Sequence, residues 1–89
     1  MKSYKELERI FKGISNHRRI QILDLLFKKP ELSISEIADT IESEVKNVSA
    51  HVNKLAIAGL IMKRNDGHFV RHALTKRGIS MLKFVRILE

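Results

Sequence analysis

Between Ser33 and Gly59 the chain carries two full sets of helix boundary signals with only three residues between them, and no other feature limits the fold so tightly. Ser33 and Glu36 form a capping box, in which the serine hydroxyl accepts from the backbone N–H three residues on and the glutamate carboxylate accepts from the serine's own N–H. Leu32 and Ile37 flank the box as a hydrophobic staple, which fixes where a helix begins. Ile37, Ala38 and Ile41 give that helix its core side. After Glu42-Ser43-Glu44 the apolar positions restart at Val48, Val52 and Leu55, spaced i, i+4 and i+7, and Gly59 supplies a left-handed stop. Two short helices joined by such a turn make the helix-turn-helix pattern, whose second helix lies in the DNA major groove.

The flanking segments read as more helix and one hairpin. Ser3 and Glu6 form another capping box, and Tyr4, Leu7, Ile10, Phe11 and Ile14 follow helical spacing toward Gly13, which predicts a first helix over 4–12 with the glycine as its stop. Ser15 or Asn16 can cap a second helix with Ile20, Leu23, Leu26 and Phe27 on one face, Ile22 and Leu25 beside them, and Pro30 beyond its end. Past Gly59 the pattern turns to strand, LIMKR, then Asn65-Asp66-Gly67, then HFVRHAL, and Asp-Gly between two β-favouring runs is a hairpin signal. Thr75 caps a last helix over 76–88, whose Met81, Leu82, Phe84, Val85 and Leu88 span an apolar arc of roughly 160°. That arc is wide for one small core. A chain of 89 residues buries only about 60 to 65% of its unfolded surface, so a partner subunit would help it.

Charge is informative by its location. Residues 1–44 carry eight basic and eight acidic side chains, whereas residues 45–89 carry nine basic ones against only Asp66 and Glu89. The net charge of +7 therefore arises in the second half, and a one-sided basic field attracts polyanions, nucleic acid foremost. With no cysteine there is neither a disulfide framework nor a thiolate metal site, and a reducing cytoplasm is the expected location. The longest apolar run, LAIAGLIM, falls far short of a membrane span.

With Val48, His51, Val52 and Leu55 facing the core, the opposite side of the fourth helix bears Lys46, Asn47, Ser49, Ala50 and Asn53. Lysine reaches phosphates or guanine edges, asparagine can bond an adenine edge twice, serine reads either, and alanine leaves room for a thymine methyl. A merely solvated helix would more naturally use Glu, Lys or Gln than two asparagines and a serine. These five are the candidate base contacts. Lys54 and the hairpin residues Lys63, Arg64, His68 and Arg71 are the candidate backbone or minor-groove contacts, although cations near a turn also protect edge strands from aggregation.

Four segments, SNHRRIQILDLL, ELSISEIADTI, VKNVSAHVNKLAIAGLI and KRNDGHFVRHALT, resemble the ArsR-type winged-helix repressors. The third is the specific one, similar to the signature S-x-x-S-x-H-x-x-x-L-x-x-A-G-L-V. The resemblance spans roughly residues 7–80. It implies helix, helix, helix, recognition helix, wing and helix, a mainly α fold of five helices plus a two-stranded wing, with the first and last helices forming a dimer interface. On this chain that interface maps to Leu7, Ile10, Phe11, Met81, Leu82, Phe84, Val85 and Leu88. Many members sense metal through Cys-x-Cys at the start of the third helix, but the aligned positions here are Ser33 and Ser35, poor ligands for soft metals. The last helix, where another family site uses acidic residues and histidines, has none over 76–88. Glu44 and Val45 stand where small polar residues are usual.

No catalytic set appears. His68 and His72 on one strand lie ~13 Å apart, too far to share an ion, and His51 reads as a satisfied, partly buried histidine. No phosphate loop or paired carboxylates point to an enzyme, and no cofactor is expected. The sequence thus predicts a single domain over 1–89, a homodimer that reads an inverted-repeat operator in double-stranded DNA, helix 45–58 in the major groove and wing 63–71 on the flanking backbone, with no membrane partner. The alternative is a winged-helix module for non-specific nucleic-acid binding or protein assembly. Any small-molecule effector is unknown at this level.

Overall fold

The computed structural model describes residues 2–89, in the order α1 (Tyr4–Ile14), α2 (His17–Lys28), α3 (Ile34–Ile41), α4 (Val45–Ile57), β1 (Ile61–Asp66), β2 (Phe69–Leu74) and α5 (Lys76–Ile87). Each helix start follows from a side chain that satisfies otherwise orphaned backbone donors. Ser3 and Ser33 complete capping boxes with Glu6 and Glu36, Asn16 accepts from the N–H groups of Arg18 and Arg19, and Thr75 accepts from Gly78 N–H. Recognition-type helix α4 is the exception. Its N-cap, Glu44, makes no side-chain cap bond.

The turn between α3 and α4 closes as expected over three residues, with Glu42 in the left-handed region (φ 54°) and Ser43 N–H bonded to the carbonyl of Ala38 at 3.0 Å. Gly59 (φ 76°) ends α4 in the same manner, placing Leu60 N–H 2.9 Å from the Leu55 carbonyl. Gly13, by contrast, does not stop α1, which continues to Ile14. Its missing side chain serves packing instead. A Cβ there would collide with the Cβ of Ala58, so the glycine is what lets α1 lie against the end of α4.

The core is one cluster centred on α2, α3 and α4 and closed by Ile14 of α1, Ile61 and Leu74 of the hairpin and Met81 and Leu82 of α5, with Ile22, Leu23, Ile37, Val48, Val52, Leu55 and Leu60 fully buried. Burying each such side chain contributes about 1.5–3 kcal/mol. Phe27, expected on the buried face of α2, is half-exposed, with the Arg86 guanidinium 5.8 Å from its ring centre. Ile22, with Leu23 and Leu26, is the buried part of α2, and Phe27 lies next to the helix's last residue, Lys28.

The strands pair antiparallel from Ile61↔Leu74 to Asp66↔Phe69, which leaves Gly67 and His68 as the two-residue turn. Asn65-Asp66-Gly67 was expected as the loop. Instead Asn65 and Asp66 extend β1, and Gly67 (φ 62°) takes the first turn position, where a positive φ is required. One pairing has no signal in the local sequence. Leu32, just before α3, bridges to His72 of β2, with His72 N–H donating to the Leu32 carbonyl at 3.0 Å and Glu31 N–H to the His72 carbonyl at 2.9 Å. The wing is thereby tied to the α2–α3 connection.

Candidate nucleic-acid interface

Helix α4 buries Val48, Val52 and Leu55 and turns Lys46, Asn47, Ala50, Asn53 and Lys54 to solvent. Ser49 is only half-exposed, since it stands about 100° from Val48, on the flank of the helix. The outward stripe Lys46–Ala50–Asn53 continues to Ile57, which is 85% exposed. Sequence reasoning missed Ile57; its i+4 spacing from Asn53 was the available signal.

A side-chain hydrogen bond links the wing to this face. Lys63 Nζ donates to Asn53 Oδ1 at 2.7 Å, so the hairpin and α4 present a single polar surface. Across the strands Arg64 sits directly opposite Arg71, a like-charge pair that three carboxylates offset. Arg64 pairs with Glu31 at 2.9 Å. Arg71 pairs with Glu36 at 3.2 Å and Asp66 at 3.3 Å, donates to the Glu31 carbonyl, and lies 5.2 Å from the centre of the Phe69 ring. Arg71, expected as a backbone contact, is thus engaged within the protein. Its side chain is half-buried and braces the wing against the start of α3, which leaves Lys63, Arg64 and His68 as the wing's exposed basic groups.

Two histidines are structural. His72 is 1% exposed and its Nδ1 lies 2.8 Å from the Leu32 carbonyl. His51, on the core side of α4, accepts at Nδ1 from Arg19 Nε at 3.2 Å, while Arg19 also donates to the carbonyls of Lys12 and Gly13. Burial holds the His51 pKa below its ordinary 6.5, and the neighbouring Arg19, His17 and Arg18 lower it further. The folded chain thus binds fewer protons at this site than the unfolded one. The resulting stability is complete above pH 6.5 and is lost as pH falls through the lowered value. As pH falls below 6.5, the thermal midpoint should fall for the native chain and fall less for His51→Gln, which retains an acceptor for Arg19. Parallel curves for the two proteins would remove His51 from this account.

The aligned metal-sensor positions are engaged or set apart. Ser33 is buried and its hydroxyl accepts from Glu36 N–H, whereas Ser35 is exposed. Among the described residues no group of three or more His, Cys, Asp or Glu side chains could hold a metal ion.

The expected dimer surface divides in two. Met81 and Leu82 are buried in the protomer's own core and cannot form an outer face, because they pack inward beneath the helix. Leu7, Phe11, Phe84 and Leu88 remain exposed, with Ile10 and Val85 half-buried, and Phe11 meets Phe84 edge-on at 6.3 Å between ring centres. Tyr4 (83% exposed) and Ile87 (77%) enlarge this apolar surface and were not foreseen.

Five helices, the fourth of them joined to the third by a three-residue turn, and a paired two-stranded hairpin define a winged helix-turn-helix domain. Comparison with known proteins agrees. The family model described as HVO_A0114 matches residues 14–80. The transcriptional repressor SdpR of Bacillus subtilis is 32% identical over 68 residues, covering 76% of this chain and 74% of its own. A homologue of the cadmium-resistance regulatory protein CadC from Staphylococcus aureus is 27% identical over 77 residues, and the match spans 86% of this chain but only 64% of that protein. Among solved structures, the homodimeric winged helix-turn-helix DNA-binding domain of Mb0332 from Mycobacterium bovis, a possible ArsR-family transcriptional regulator, superposes with a TM-score of 0.85 at 26% identity, over 94% of this chain and 78% of that one. The chain belongs to the ArsR-type family of winged helix-turn-helix regulators.

Proposed function

We propose that this protein is a DNA-binding transcriptional regulator, a repressor, that acts as a homodimer on an inverted-repeat operator. One observation carries the reading: α4 holds Lys46, Asn47, Ala50 and Asn53 outward on a helix whose other side is locked in the core, and Lys63 of the wing bonds directly to Asn53. This supports the reading, because side chains able to bond base edges would project from a rigid element with a cationic flank. Exposed Leu7, Phe11, Phe84, Ile87 and Leu88 are the surface on which a second copy would pair, which would set two α4 helices against half-sites ~34 to 36 Å apart. The alternative of a protein-assembly module has less support, because the outward stripe of α4 is polar up to Ile57.

Selection of bound sequences from random duplexes, with the oligomeric state measured alongside, tests this. Asn47→Ala and Asn53→Ala should each alter base preference at particular positions, by about 1–3 kcal/mol against the formerly preferred base. Arg64→Ala should weaken all duplexes alike and reduce the salt slope by about 1. An unselective profile, or asparagine variants with the native profile, would defeat the recognition assignment.

A further inference from the structure

Between α1 and the C-terminal end of α4 lies a cavity of about 270 Å³, which meets the outward stripe of α4 only at its last residue, Ile57. Arg9, Lys12, Arg19 and Lys54 line it, and no carboxylate does. Its floor is the close approach of buried Gly13 to buried Ala58, and exposed Ile57 stands at its rim. Among the described residues Arg9 and Lys54 make no ion pair, and Lys12 has only a 3.8 Å contact with exposed Glu8. Arg19 is held in place by His51 and by the carbonyls of Lys12 and Gly13. Four cations around one hollow repel each other, and a bound anion relieves that repulsion.

The geometry points to an oxyanion-binding site in this cavity, taking a phosphate or carboxylate group on Arg9, Lys12, Arg19 and Lys54, with the attached carbon body against Gly13, Ala58 and Ile57. A pre-placed guanidinium with mobile amines beside it suits such a group. The anion has two sources, a free phosphorylated or carboxylated small molecule, or a phosphodiester of bound DNA. Lys54 and Ala58 belong to α4 and Arg19 holds His51 of α4, so occupancy bears directly on the recognition helix. Only the DNA source rests on the reading given under Proposed function.

Inorganic pyrophosphate titrated into the full chain at constant ionic strength should shift the backbone amide signals of Gly13, Ile57 and Ala58 along one saturable curve. Arg9→Gln with Lys12→Gln should weaken that binding about tenfold or more. Lys5→Gln with Lys83→Gln removes equal charge outside the cavity and should change it less than about twofold. If DNA supplies the phosphate, the Arg9/Lys12 variant also lowers the salt slope of duplex binding by about 2, and pyrophosphate competes with the duplex. If a free ligand supplies it, pyrophosphate still saturates while the slope is unchanged. The absence of a saturable shift, or a shift that both paired variants leave equally intact, overturns the site. Base preference of the unaltered chain is read separately, so failure here is distinct from failure of the recognition assignment.

Discussion

Gly78→Ala lowers the thermal midpoint by about 12–24 °C, although alanine normally stabilises a helix interior relative to glycine by up to about 1 kcal/mol. The sign reverses because Gly78, buried in the first turn of α5, lies against the backbone of Leu60. An added Cβ would overlap the Leu60 carbonyl oxygen, a backbone atom that cannot rotate away. Leu60 is itself fixed from both sides, its N–H bonded to the Leu55 carbonyl and its carbonyl accepting from Thr75 N–H. Relief therefore requires moving α5 as a unit away from the junction of α4 and β1. Overpacking of this kind costs about 1–3 kcal/mol, and the immobile neighbour puts this case at the upper end. A melt by circular dichroism checks it, with Gly67→Ala as the comparison: nothing crowds that site, so only the left-handed backbone (φ 62°) opposes the substitution. A Gly78→Ala protein that melts with the native chain would mean that α5 does not seat on Leu60 as described.

Ala50→Glu abolishes high-affinity duplex binding while leaving the fold intact. Residue 50 is exposed at the middle of the outward stripe of α4, and glutamate is a good helix former, so the monomer loses nothing in packing. In a DNA groove the same carboxylate meets phosphates and base acceptors without a counter-charge. Like-charge juxtaposition at an interface costs several kcal/mol, here about 3, or more than 100-fold in Kd. Fluorescence anisotropy with a selected duplex, beside an unchanged melting curve, measures it. Retained affinity would place DNA on another face. A tenfold loss confined to low salt would indicate a diffuse electrostatic effect instead of direct contact.

Helix starts, the three-residue turn and the existence of the hairpin were legible in the sequence because each rests on neighbours three or four residues apart. Ser33 with Glu36, Ser3 with Glu6 and Thr75 with Gly78 are local bonds, and their partners are fixed by helical geometry before any tertiary contact forms. The polar stripe of α4 was legible for the same reason, since Val48, Val52 and Leu55 fix which side faces inward. Gly13 misled because a glycine signals either a stop or a close approach, and only the position of Ala58 separates the two.

Sequence by itself determined the order of elements, the family likeness and which side of α4 is polar, all properties set by short-range periodicity and capping. Tertiary structure alone decided how the cations are used. Arg71 meets Glu36, Arg64 meets Glu31 and Arg19 meets His51 across separations of 35, 33 and 32 residues. It also decided that Met81 and Leu82 close the protomer's core while Phe84, Ile87 and Leu88 stay outside. Charges and apolar arcs are written in the chain, but their partners depend on which elements the single core brings side by side.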